Sequence, residues 1–125
     1  MKKILVVDDQ TTNLMLLEIL LKGSFDTIPC ADALKALQMF ERYKVDMVIT
    51  DLKMPGMDGF ELIKRIRTIN PDIPVLAMSA HTEYQQDPRN KKKIFDDFIA
   101  KPFSLDFMRH KVEQHLSPSN KTTSH

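Results

Sequence analysis

Five residues of this chain have the types and placement to do chemistry together: Asp8, Asp9, Asp51, Ser79 and Lys101. Each follows a short apolar run. Lys3-Ile4-Leu5-Val6-Val7 leads into Asp8-Asp9. Val45 to Ile49, interrupted by Asp46, leads through Thr50 to Asp51. Val75-Leu76-Ala77-Met78 ends at Ser79, and Phe98-Ile99-Ala100 ends at Lys101. One aspartate after a strand is ordinarily a turn or helix-capping residue. Three carboxylates, a hydroxyl and a lysine, all at strand ends, form a set that capping does not explain. Crowded carboxylates repel one another, and a hard divalent cation relieves that repulsion.

The elements that must position this set follow from the apolar pattern. The run to Val7 is β-branched and without alternation, as in a strand buried on both faces. Thr11 or Thr12 is positioned to cap a helix over residues 13–22, with Leu14, Leu17, Leu20 and Leu21 as apolar positions and Gly23 as the stop. Residues 25–30 form a second strand, placed at a sheet edge because Pro29 cannot donate to a ladder. Asp32 opens a helix with Leu34, Leu37 and Phe40 as its apolar stripe. The turn residues Pro55, Gly56 and Gly59 separate Asp51 from a third helix, Phe60 to Ile69. Ser104 caps a final helix with Leu105, Met108, Val112 and Leu116 at helical spacing.

Strands alternating with helices imply an α/β fold: a doubly wound (βα)5 three-layer sandwich on a five-stranded parallel sheet. The edge position of Pro29 fits a strand order of 2-1-3-4-5. All carboxyl ends of a parallel sheet share one edge, where ligands bind such folds. Four strands therefore deliver Asp8, Asp9, Asp51, Ser79 and Lys101 to one place.

At 125 residues the chain has the size of one domain. Hydrophobic residues at 42% suffice for a core, and a net charge of +1 gives no electrostatic case for nucleic acid or an anionic membrane. Lys91-Lys92-Lys93 is too short a run to change that and reads as a solvated face. The single cysteine, Cys30, allows no internal disulfide and reads as a small buried hydrophobe; with no signal peptide, the expected compartment is the cytoplasm. The four histidines show no metal-ligand spacing. Residues 1–116 are expected to form the domain, and 117–125 a flexible tail or the start of a linker. Met1, two residues before the first strand, suggests a native N-terminus.

Taken jointly, Val6-Val7-Asp8-Asp9, Asp51-Leu52-Lys53-Met54-Pro55-Gly56-Met57-Asp58-Gly59, Ser79-Ala80 and Lys101-Pro102-Phe103 resemble the receiver domains of two-component response regulators, the CheY-like family. The 22-residue step from Ser79 to Lys101 matches as well. The resemblance covers residues 1 to about 116 and implies a flavodoxin-like sheet. It implies that Asp51 is a phosphoacceptor forming a 4-aspartylphosphate, and that Asp9, Asp51 and the Lys53 backbone carbonyl ligate Mg²⁺, with Mn²⁺ as the alternative. Asp8 would act through water, Lys101 would neutralise phosphoryl charge, and Ser79 would donate to a phosphate oxygen.

The resemblance further implies a cis peptide before Pro102, a switch pair of Ser79 and Phe98, and tuning of phosphate lifetime by Lys53 and His81. The phosphoryl donor would be a phosphohistidine on a sensor histidine kinase or phosphotransfer protein. The fourth helix, fifth strand and fifth helix would then control an output partner or downstream domain. The protein would be a switch that gains and loses its own phosphate, with no turnover of a separate substrate and no direct contact with nucleic acid or membrane. An adaptor that works without phosphorylation is the alternative, but the intact acidic set argues against it. A hydrolase of the haloacid dehalogenase type would carry a second aspartate two positions after the nucleophile, where this chain has Lys53.

The fourth helix is where the chain departs from that pattern. Pro88 falls inside it, and Ile94 stands at the usual glycine position. An interior proline removes a hydrogen bond and clashes with the preceding turn, at about 3 kcal/mol or more. Asp87-Pro88 reads well as a cap and first helical position, and Thr82 with Gln85 as a weaker capping box. The expectation is a loop or single turn over residues 82–86 and a short regular helix beginning at Pro88, making the output surface mobile until phosphorylation orders it.

Overall fold

The computed structural model describes residues 1–90 and 94–116. The expectations of a solvated lysine run at 91–93 and of a tail at 117–125 therefore lie outside the described residues. Five parallel strands form one sheet: β1 (Lys3–Val7), β2 (Asp26–Cys30), β3 (Met47–Asp51), β4 (Val75–Ser79) and β5 (Asp97–Ala100). Their order is β2-β1-β3-β4-β5, as expected. β3 and β4 are buried along their whole length, and β1 at four of five positions. Pro29 lies on the edge strand β2 opposite Val6, where its missing donor leaves no gap in a second ladder.

Because side chains alternate across a strand, the sheet builds two cores. Leu5, Val7 and Val48 face α2 (Ala33–Arg42) and α3 (Gly59–Ile69), meeting Leu37, Phe40, Leu62 and Ile66. Ile4, Val6, Met47 and Ile49 face α1 (Thr11–Leu21) and α4 (Leu105–Leu116), meeting Leu17, Leu21, Met108 and Val112. Cys30 is buried, and burial pushes its thiol up to about 11, so it stays an inert core residue.

Local capping differs from expectation in α1 and agrees in α2 and α4, while α3 carries a cap, Asp58, that the sequence reading did not assign. α1 is capped by Gln10 without a side-chain bond, and neither Thr11 nor Thr12 caps it; both lie in the helix. Gly23 stops α1 with a positive φ of 91°. Asp32 accepts from the Lys35 amide at 2.7 Å, Asp58 from the Glu61 amide at 2.9 Å, and Ser104 from the Phe107 amide at 3.0 Å. Leu34 and Leu105 are exposed, so they leave the apolar stripes assigned to them. The buried face of α2 runs through Ala33, Ala36, Leu37 and Phe40, and Leu34 falls outside it.

The fourth crossover is the main departure. Among the described residues no regular helix begins at Pro88. Thr82–Gln86 and Pro88–Asn90 are two short 3-10 turns separated by Asp87. Asp87 is extended, with φ −62° and ψ 132°, as a residue preceding proline must be. Thr82 and Gln85 form no capping box, since His81 is the N-cap and makes no side-chain bond there. Proline prevents an i→i−4 ladder across this segment, whereas short 3-10 turns need only i→i+3 bonds. Side chains hold the segment: Tyr84 meets the Phe60 ring edge-on at 5.6 Å, and Asn90 accepts from the Phe95 amide at 3.2 Å.

Candidate functional site

The sheet's register brings the strand ends together. Asp8 follows β1, Asp51 and Ser79 end β3 and β4, and Lys101 follows β5. The Lys101 ammonium bridges two carboxylates, 2.7 Å from Asp8 Oδ2 and 2.8 Å from Asp51 Oδ2. Oxygens of Asp8, Asp9 and Asp51 all lie within 4.8 Å of one another. Asp8 and Asp51 are buried, whereas Asp9 is exposed. The remaining Asp51 oxygen accepts from the Lys53 amide at 3.2 Å. Ser79 Oγ accepts from the His81 amide at 2.9 Å. The Lys101-Pro102 peptide is cis.

These groups open onto a cleft of about 510 Å³, lined among others by Asp9, Asp51, Lys53, Ser79, His81 and Lys101. Phe98 is not on its wall. It lies one layer back in the α2/α3 core, 6.2 Å from Phe95. Every residue expected at the site except Phe98 and Pro102 thus borders the cleft or, as Asp8, bonds directly to a residue that does.

The electrostatics follow from burial and pairing. Burial raises the Asp51 carboxyl above its ordinary value, and the hydrogen bond and charge of Lys101 with the Lys53 amide offset only part of that rise. Burial lowers the Lys101 ammonium, but its hydrogen bonds to Asp51 and Asp8 outweigh this, and the net shift is upward. Lys101 is therefore a fixed positive charge. Asp51 is the carboxylate whose ionised form is costly, and hence the one most favoured by an added cation.

Sequence reasoning missed three supporting residues. Asn13 donates to Asp8 Oδ2 at 3.1 Å and to the Gln10 side chain at 2.9 Å. The Gln10 amide donates to Asp8 Oδ1 at 2.9 Å. A polar residue in the first turn of α1, facing a strand end, is the signal that marked Asn13. Gly59, the first residue of α3, lies so close to β3 that a Cβ there would stand 2.2 Å from the Asp51 carbonyl oxygen.

A model of the response regulator receiver domain matches residues 4–113. Sporulation initiation phosphotransferase F of Bacillus subtilis is 36% identical over 116 residues, 92% of this chain and 94% of that protein. The B. subtilis alkaline phosphatase synthesis transcriptional regulatory protein PhoP is 36% identical over 82% of this chain, which spans only 43% of that relative's length. Among solved structures, the response regulator protein TrrA of Thermotoga maritima, in complex with Mg(2+)-BeF, superposes with a TM-score of 0.85. It is 31% identical, with 93% of this chain and 100% of that chain covered. With its acidic strand ends bridged by one lysine, and matched along nearly its whole described length, this chain belongs to the response regulator receiver domain family of two-component systems.

Proposed function

We propose that this domain is a phosphorylation-controlled signalling switch whose phosphoacceptor is Asp51. The observation that carries the reading is the Lys101 bridge between Asp51 and Asp8 beside a third carboxylate, at the mouth of an open cleft. The donor is a phosphohistidine on a sensor kinase or phosphotransfer protein in the same compartment, expected to be the cytoplasm. An ionised Asp51 oxygen attacks phosphorus, the P–N bond to the donor imidazole breaks, and the imidazole leaves with its electron pair and takes up a proton. Lys101 Nζ, already on Asp51, holds the transferred charge. The Ser79 hydroxyl donates a hydrogen bond to a phosphoryl oxygen, and Phe98 fills the space that Ser79 vacates.

The donor set fits Mg²⁺, a hard cation that takes carboxylate oxygens and keeps several waters. Asp9, Asp51 and the Lys53 backbone would hold it, with Asp8 behind, and it would neutralise the carboxylate cluster and the phosphoryl group. The Mg(2+)-BeF complex of the Thermotoga relative supports this assignment. The output surface comprises the fourth crossover, β5 and α4. The protein turns over no separate substrate; Lys53 in place of a second aspartate argues against a hydrolase.

Incubation with a small acyl-phosphate donor and Mg²⁺ should add one phosphoryl group by intact mass, and a chelator should prevent it. Asp9→Ala is expected to weaken Mg²⁺ binding more than tenfold in an NMR shift titration while leaving the fold intact, since Asp9 is exposed. Unchanged binding in that variant would count decisively against the cation site. Lys53 and His81 border the cleft and flank the path of water to a phosphorylated Asp51. Lys53→Ala and His81→Ala are expected to change the phosphate half-life several-fold. Half-lives equal to wild type in both would remove these residues from that role.

A further inference from the structure

Asp8 is the most completely held group of the acidic cluster. It is wholly buried. A carboxylate offers about four lone-pair sites, two on each oxygen. Oδ2 accepts from Lys101 Nζ at 2.7 Å and from Asn13 Nδ2 at 3.1 Å, so both of its sites are taken. Oδ1 accepts from the Gln10 amide at 2.9 Å. Asn13 is itself fixed, because its amide also donates to Gln10 Oε1 at 2.9 Å. Gln10 borders the cleft, and Asn13, on α1, lines a second cavity shared with Gln10 and Lys101.

From this we infer that Asn13 is a positioning residue that sets the cation preference of the site by keeping Asp8 out of direct ligation. The inference rests on the cation site proposed above. With Oδ2 saturated by Lys101 and Asn13, the site offers a cation few direct carboxylate ligands, and water must complete the shell. Mg²⁺ tolerates this, since it takes octahedral geometry and sheds water reluctantly. Ca²⁺ wants six to eight oxygens, often with carboxylates binding through both atoms, and gains more from a third direct carboxylate. Removing the Asn13 donor frees one Oδ2 site on Asp8, a residue with an oxygen already within 4.8 Å of oxygens of Asp9 and Asp51. Asn13 therefore acts on the difference between the two ions more than on the affinity for either.

The test is the ratio of Ca²⁺ to Mg²⁺ affinity, measured for each ion alone by calorimetry and by amide shift titration. The proteins are wild type, Asn13→Ala and Asn13→Gln. Alanine is a better helix former than asparagine, so the first variant keeps α1 intact. The second retains an amide donor, and thermal unfolding verifies that both variants are folded. Asn13→Ala should raise the Ca²⁺-to-Mg²⁺ affinity ratio three-fold or more, and Asn13→Gln should return it toward wild type. Equal weakening of both ions in Asn13→Ala, or an unchanged ratio, would show a merely structural asparagine and overturn the inference. A wild-type protein that binds neither ion would overturn the cation site itself, and this inference with it.

Discussion

Asp51→Asn is expected to take up no phosphoryl group and to be more stable than the wild type. The loss should be complete, because no other carboxylate shares its position: Asp8 is buried and held by three donors, and Asp9 lacks the contact that Lys101 makes with Asp51. Wild type and variant are treated with an acyl-phosphate donor and Mg²⁺, and intact masses are compared. A full-yield phosphate on the variant would falsify the assignment. The stability gain follows from the upward shift of the Asp51 carboxyl, caused by burial. A group whose folded pKa lies above its ordinary value of 3.8 stabilises the fold when protonated, and that stability is lost as pH rises through the folded pKa. Above it, wild type carries the cost of a buried charge, and asparagine does not. The stability difference between variant and wild type, measured with a chelator present, should be small near pH 3.5 and should widen toward pH 7 in favour of Asp51→Asn. Added Mg²⁺ should narrow the difference by stabilising only the wild type. A variant less stable than wild type at pH 7 would contradict this account.

Gly59→Ala is expected to cost about 3 kcal/mol, the upper part of the usual range for overpacking, and to lower the melting temperature by roughly 10 °C. The added methyl would lie 2.2 Å from the Asp51 carbonyl oxygen and 2.7 Å from Leu52 Cα. Both are backbone atoms of β3 and the segment leaving it, so no side-chain rotation relieves the contact. The Gly59 amide also donates to the Leu52 carbonyl at 2.9 Å, and separating the segments would stretch that bond. Since the displaced strand end carries Asp51, the rate of phosphorylation should fall as well. Gly56→Ala is the control. Gly56 has a φ of 76° but nothing within 4 Å of a built Cβ, so its cost is backbone strain alone, about 1 kcal/mol. Denaturant unfolding of both variants should rank Gly59→Ala well above Gly56→Ala. Equal costs would mean that close approach to β3 is not what demands glycine at 59.

The strands and the chemistry at their ends were legible because both are local. An unbroken apolar run reads as a strand buried on both faces without reference to the rest of the chain. The residue that ends each run is fixed by adjacency: Asp8 after Val7, Ser79 after Met78, Lys101 after Ala100. A parallel sheet then places all these ends on one edge, so Asp8, Asp9, Asp51, Ser79 and Lys101 could be collected before any distance was known. Pro29 marked the edge strand for an equally local reason, its missing donor. Other features depend on how close distant segments come, and no spacing along the chain encodes that. Leu34 is exposed because α2 is turned so that Ala33, Ala36, Leu37 and Phe40 form its buried face. The fourth crossover closes with 3-10 turns because Pro88 denies it a ladder while Tyr84 docks on Phe60, a residue 24 positions away. Asn13 became part of the site only when its amide reached Asp8 and Gln10 across the turn from β1 to α1. Adjacency along the chain settles which groups meet; packing settles which of their lone pairs are taken and which face the cleft, because that depends on tenths of an ångström between segments that meet only in the folded chain.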